Sequence, residues 1–355
     1  MRASTLSEAV QAKMPERSGV ESRYKSMARR QTSLVTPFAL FAVLLAISGV
    51  RGPALFTANG LDGALIGAAP LVLGTLAITT IAIAGPAGVD LSIGPAMTLI
   101  NIEIVIELPK IGVTGPVAVF ACAIGLGILV QVVIGTIVAL FRVSTVVVTL
   151  AFYLFLDGLN TVLLPEPAGS APTWLANWGS ESSLLSPVLY VLIGSFVLWA
   201  LISRTTLFRN VRLMGADART AFVSGVHLVP TRIGAHVIAG IFVGLASLMY
   251  TGLLGSADPT AGSSYTLSAV TALVIGGASL AGGRAKGLGA ILGATDIWLI
   301  SYVLGTFNFG LNASYWIEVA TGGVLVVALL VGSFLASEDL VHRWPMRMFP
   351  GNRSR

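Results

Sequence analysis

Ten apolar runs constrain this chain more than any other feature: Leu34 to Val50, Gly63 to Ala84, Leu91 to Ile106, Val117 to Leu140, Val143 to Leu164, Pro187 to Ile202, Ile233 to Leu254, Leu267 to Leu280, Leu288 to Leu304 and Ala313 to Phe334. About 20 apolar residues suffice for a helix to cross the hydrocarbon of a bilayer. Inside it, only helices and closed barrels satisfy every backbone N–H and C=O. Hydrophobic residues make up 55% of the 355 and charged residues 10%, where a soluble domain carries roughly a quarter charged. The expectation is an all-α polytopic membrane protein with about ten transmembrane helices. Residues 1–33 read as a basic, largely disordered tail, 34–334 as the membrane domain and 335–355 as a second tail. Several runs are shorter than a straight span requires, so tilted or broken helices are expected.

Basic residues orient such a chain. With an even number of spans and the N-terminus in the cytoplasm, the inner segments collect the tail basics, Arg142, Arg204, Arg209, Arg212, Arg219, Arg232, Arg284, Lys286, Arg343, Arg347, Arg353 and Arg355, leaving Arg51 and Lys110 outside. Both termini are therefore predicted to be cytoplasmic. The net charge of +5 follows the same rule and does not point to nucleic acid. One cysteine, Cys122, excludes an internal disulfide, and three scattered histidines offer no metal-ligand spacing. No catalytic constellation or nucleotide-hydrolysing motif is present, so the chain reads as a non-enzyme.

The polar segment 203–232 separates the two apolar halves. Asp217 can cap a helix there and Gly225 can end it, with Met214, Ala218, Ala221, Phe222 and Gly225 recurring along one side. Two readings fit: a small helix seated in a groove of a soluble partner, or an amphipathic loop on the lipid surface. In the outer loop Pro165 to Ser186, Trp174 and Trp178 suit the membrane interface.

The halves also share a pattern. Val89 to Leu99, VDLSIGPAMTL, aligns with Ala257 to Leu267, ADPTAGSSYTL, pairing Asp90 with Asp258, Ser92 with Thr260, Gly94 with Gly262 and Thr98 with Thr266 at an offset of 168. The offset carries the third span onto the eighth, which runs the other way, so the repeat is inverted. Paired Gly/Pro-interrupted segments of this kind mark discontinuous helices around a solute pathway. Asp90, Ser92, Gly94, Asp258, Thr260 and Gly262 are accordingly the candidates for pathway or hinge positions, the aspartates serving equally well as caps. Among the other ionisable residues, Glu103 and Glu107 have Lys110 within reach, and Asp157, Asp296 and Glu318 read as local caps or interhelix hydrogen-bonding groups, or as a proton relay if they face one cavity. Gly276 to Ala294, GGASLAGGRAKGLGAILGA, lacks a phosphate-loop pattern and reads as close helix packing at a tight turn.

Taken together, GVDLSIG at Gly88 to Gly94, PTAGSSY at Pro259 to Tyr265 and GGASLAGGR at Gly276 to Arg284 resemble the permease subunits of bacterial ATP-binding-cassette importers. The similarity is to the ribose, galactose and autoinducer-2 type, related to branched-chain amino acid permeases, over about Leu34 to Val331. The resemblance implies a coupling helix in the loop between the sixth and seventh spans. Gly215, Ala221, Ser224 and Gly225 match its pattern, Asp217 stands for the usual Asn, Thr220 for Ala and Val226 for Ile, and Ala218 and Phe222 fall within the same unit. Asp157, Asp258 and Ala285 also depart from the family pattern. It further implies ATPase subunits that bind ATP and Mg, no cofactor in this chain, a second permease (the same chain or a paralogue), an extracytoplasmic solute-binding protein, and residence in the bacterial inner membrane. Import of a small polar solute, most readily a monosaccharide, is then expected. The rival readings are an ion- or proton-coupled secondary transporter using Asp296 or Glu318, and a membrane scaffold.

Overall fold

A computed structural model describes residues 17–85, 88–180, 186–279, 282–283, 285–307, 309 and 313–341. A helix occupies each of the ten apolar runs. They are α1 Arg17–Arg51, α2 Ala58–Ala84, α3 Ile93–Ile102, α4 Pro116–Phe141, α5 Thr145–Leu163, α6 Pro187–Ile202, α7 Leu228–Leu254, α8 Ser263–Ile275, α9 Gly287–Gly305 and α10 Ala313–Val341. Six of them are long and apolar enough to cross a membrane by themselves. Both expected tail boundaries move. Residues 17–33, expected to be disordered, are helical, and α10 runs past residue 335. Residues 1–16 and 342–355 lie outside the described residues, and so do Arg284, Arg343, Arg347, Arg353 and Arg355.

Three of the shorter runs break as their sequences require. Beyond Ile102, α3 widens into a π-helical stretch Glu103–Glu107 and closes with Leu108–Lys110. Pro109 causes this, because it has no N–H and its ring crowds the carbonyl one turn earlier. The helix α6 bends by 71° into the helix Thr206–Ala216. The helix α8 starts late, after a left-handed Gly255 (φ 67°) and an irregular stretch to Gly262.

The centre of the bundle is α2 against α7. The most apolar stretch of α2 is 89% buried and that of α7 78%, whereas α4 and α5 bury only 28% and 22%, leaving their other faces for lipid. The offset of 168 read from the sequence carries α2 onto 226–252 against the observed Leu228–Leu254, and α5 onto 313–331 against Ala313–Val341. The two central helices are therefore repeat mates. The register fails at α1 and α6, which are offset differently.

Lipid tails are as apolar as leucine, so helices here associate by close packing rather than by water exclusion. On α4 the inward positions Ala123, Gly127, Gln131 and Gly135 recur every fourth residue. A Cβ at Gly244 on α7 would lie 2.5 Å from the Ala123 carbonyl, and one at Gly240 would lie 2.6 Å from that of Gly127. The α8–α9 pair repeats the device, with a Cβ at Gly276 only 2.9 Å from the Ala290 nitrogen, so the glycine-rich stretch does pack closely at a tight turn.

The ends of the bundle differ in charge. Gly215 lies against the backbone of Ile83 at the end of α2, Gly283 lies against Gly215, and Arg142 and Arg232 flank Gly85. The polar segment, the α4–α5 turn and the start of α7 thus share one basic end. At the other end Lys110 pairs with Glu107 at 2.8 Å. There the helix Thr173–Ser180 stacks Trp174 on Phe120 and sets it edge-to-face against Trp178, and a reciprocal backbone bridge ties Ala168 to Ala257.

Replacing Gly127 with valine is expected to cost about 1–3 kcal/mol by forcing α4 off α7, read as a lower unfolding temperature in detergent. Gly125→Val, where a Cβ meets nothing within 4 Å, is expected to stay within about 0.5 kcal/mol.

Candidate functional site: two helix breaks meeting in the bundle

The two repeated segments form breaks of the same construction. Before α3, the Asp90 Oδ1 accepts from the Ser92 N–H at 2.8 Å and from the Ser92 hydroxyl at 2.6 Å. Before α8, the Asp258 Oδ1 accepts from the Thr260 N–H at 2.8 Å, the Thr260 hydroxyl at 2.9 Å and the Ala261 N–H at 3.1 Å. A short carboxylate that bonds its own chain two residues on holds a turn open. Helix breaks at membrane depth need that satisfaction from within the protein. The aspartates were expected as helix caps; Ser92 and Gly262 hold the N-cap positions of α3 and α8 instead, and each aspartate closes a turn ahead of its helix.

The breaks meet each other reciprocally. The Gly94 N–H donates to the Thr266 hydroxyl at 3.0 Å. A Cβ at Gly94 would collide with the Gly262 carbonyl and lie 2.5 Å from the Thr266 hydroxyl; a Cβ at Gly262 would lie 2.8 Å from the Gly94 carbonyl and collide with the Thr98 hydroxyl. Exchanging 94 with 262 and 98 with 266 maps the close approach onto itself, while the hydrogen bond runs in one direction only, from Gly94 to Thr266. Any side chain larger than hydrogen at either glycine separates the two backbones.

Each break is held to the bundle by an amide that is not repeated in the other half. Gln131 of α4 donates its Nε2 to the Asp90 Oδ2, while its Oε1 lies 2.8 Å from Nδ1 of His236 on α7. Asp90, Gln131 and His236 are all buried, and three donors converge on the Asp90 carboxylate. At the second break, Asn101 donates to the Thr251 hydroxyl at 3.0 Å and the Ser256 carbonyl at 3.1 Å, and its Oδ1 accepts from the Asp258 N–H at 3.2 Å. Asp157 of α5 accepts from the Ser263 hydroxyl at 2.6 Å, an interhelix bond of the kind expected for it. Asp296, buried on α9, has no hydrogen-bond partner among the described residues.

Of the six candidates, Asp90, Ser92, Gly94 and Gly262 are buried, Asp258 is half-buried and Thr260 exposed. The structure brings Gly94 and Gly262 together and leaves each aspartate within its own turn. Gln131, His236, Asn101 and Thr251 were missed from sequence. Gln131, His236 and Asn101 are strongly polar side chains flanked by apolar neighbours, a signal that could have singled them out; Thr251 carries no such signal.

The polar segment is an elbow of two helices rather than one small helix. Asp217 adopts an extended conformation (φ −161°, ψ 110°), ends Thr206–Ala216 and caps Ala218–Val223 by accepting from the Thr220 N–H at 2.7 Å. That bond holds the Asp217 carboxyl below the ordinary carboxylate range. Gly225 ends the short helix at φ 87°, and the Val226 N–H reaches back to the Ala221 carbonyl at 3.0 Å. The expected stripe is therefore split. Met214 and Ala221 pack inward, whereas Phe222 is 67% exposed, joined by Val223 at 82% and Leu213 at 52%. Ala218 is half-buried, and Ser224 and Gly225 are exposed.

Comparison with known proteins places this geometry. The family described as branched-chain amino acid transport system, permease component, matches residues 60–333. The ribose import permease protein RbsC of Escherichia coli (strain K12) is 31% identical over 322 residues, covering 86% of this chain and 94% of the relative. The D-allose transport system permease protein AlsC of the same organism is 26% identical, covering 84% and 91%. The galactose/methyl galactoside import permease protein MglC of Haemophilus influenzae is 28% identical, covering 61% and 67%. No solved structure matches the chain. A multi-pass helical bundle with two mated helix breaks, matched along most of its length, belongs to the branched-chain amino acid transport system permease family.

Proposed function

We propose that this chain is the membrane-spanning subunit of an ATP-driven importer of a small polar solute, most specifically a monosaccharide. The observation that carries the reading is the reciprocal contact of the two helix breaks in a chain whose relatives are ribose, allose and galactose permeases. Hydroxyl and amide groups at the breaks suit a polyol, because they offer several weak hydrogen bonds, while the Asp90 and Asp258 carboxylates are engaged in their own turns. The basic end of the bundle faces the cytoplasm by the positive-inside rule, which puts both termini there.

The elbow is the coupling element. Its exposed Leu213, Phe222 and Val223 form an apolar knob for a cytoplasmic ATPase that binds ATP and Mg. Its Gly215 sits on the backbone of Ile83, so a push on the elbow reaches the end of α2 and the break that follows. A second permease subunit and an extracytoplasmic binding protein complete the assembly, and lipid surrounds α1, α4 and α5. Glu318 is given no coupling role.

Reconstitution in liposomes tests the whole reading: uptake that requires ATP and the co-purified ATPase supports it, and uptake driven by an ion gradient alone refutes it. Phe222→Asp is expected to lower ATPase association about tenfold or more while leaving the unfolding temperature of the chain unchanged. At Asp217, alanine is expected to weaken association and asparagine to restore it, since an amide also caps. A carboxyl held below its unfolded pKa stabilises above that value and loses the contribution as pH falls through the lower folded one. The cap should therefore persist from pH 8 down to about pH 5, and pull-down across that range should show no loss in the parent chain.

A further inference from the structure

A polar cavity of about 400 Å³ opens at the basic end of the bundle, between Gly85 at the end of α2, the α4–α5 turn and the first turns of α7. Its charge comes from Arg142 and Arg232, its hydroxyls from Ser144 and Thr145, and the buried His236 also lines it. No carboxylate lines it, and neither arginine has an ion-pair partner among the described residues. Arg232 is half-buried, with Nη2 3.8 Å from the Cβ position of Gly85. Arg142 holds the left-handed cap of α4 at φ 56°, the only non-glycine residue with positive φ among the described residues. Glycine is the ordinary occupant of such a cap. An arginine therefore stands in a conformation that disfavours it, beside a second unpaired arginine and two hydroxyls.

From this arrangement we infer that the cavity is a binding site for a phosphate group, as carried by an anionic lipid or by a free cytoplasmic phosphate. Guanidinium forks match phosphate oxygens with paired N–H donors. Ser144 makes no cap bond to its own helix, so its hydroxyl is available alongside theirs. A lipid phosphate reaches the cavity from the headgroup layer, and a free phosphate from the cytoplasm. That side of the membrane rests on the orientation proposed above, but binding itself does not. The occupant would bridge α2 and the α4–α5 turn in the first half to α7 in the second. It would also lie one residue from the Gln131–Asp90 chain, because His236 bonds Gln131. Occupancy would then stabilise one relative placement of the two halves.

The test uses the full-length chain in discs of phosphatidylcholine, measuring unfolding temperature and lipids retained in native mass spectrometry. Phosphatidylglycerol and inorganic phosphate are added in separate arms. Stabilisation by phosphatidylglycerol, with retained lipid, identifies the lipid source, and stabilisation by inorganic phosphate alone identifies the free anion. Either response should shift to about tenfold higher ligand concentration in Arg142→Gln and in Arg232→Gln. It should stay in place in Arg209→Gln, a change on the exposed side of the elbow. Arg142 is exposed, so its variant should remain readable if Arg232→Gln fails to fold. No response in either arm, or an equal response in Arg142→Gln and the parent chain, overturns the inference.

Discussion

The structure depends on one contact, the backbone of Gly94 against the backbone of Gly262. Hydrocarbon supplies no hydrophobic drive between helices, so their association rests on close approach and on polar groups that have no water to turn to. Both are met at this crossing. The glycines let two broken helices touch, and the Thr266 hydroxyl accepts the Gly94 N–H that the break sets free. Since the contact is reciprocal, a change in angle at one break is imposed equally on the other.

The rest of the bundle positions that crossing. The central pair α2 and α7 are repeat mates and hold the breaks between them, with α4 locked to α7 through glycines and carrying Gln131 to Asp90. At the basic end, Gly215 of the elbow bears on Ile83 and Gly283 bears on Gly215. Ile83 lies at the end of α2, ahead of the first break. At the opposite end, the bridge between Ala168 and Ala257 and the Asn101 amide secure the second break from outside. The crossing thus has one anchor at each membrane face, which suits an element that must favour one arrangement or the other without an intermediate.

Much of this was legible in the sequence, for identifiable reasons. Apolar runs and helix-breaking residues act locally, so the ten helices and the paired breaks ahead of α3 and α8 could be placed from spacing alone. What escaped was information that arises only when helices rotate to face each other. Nothing in their surroundings marks Gln131, His236 and Asn101 as partners of the breaks, because the residues they bond lie 41 to 157 positions away. The stripe on the elbow was misassigned because helical spacing was extended through Asp217, whose capping role requires extended backbone. That one residue turned Met214 and Ala221 inward and left Phe222 and Val223 to face out.

The claim that the two breaks meet as a mated pair is tested most directly by a double-mutant cycle of Gly94→Ala and Gly262→Ala on unfolding free energy. Each methyl group intrudes on the other glycine's backbone, so separating the helices for one should accommodate much of the second. The cost of the double variant is predicted to fall short of the sum of the single costs by about 0.5–3 kcal/mol. Additivity to within about 0.3 kcal/mol would place the two glycines apart and contradict the account.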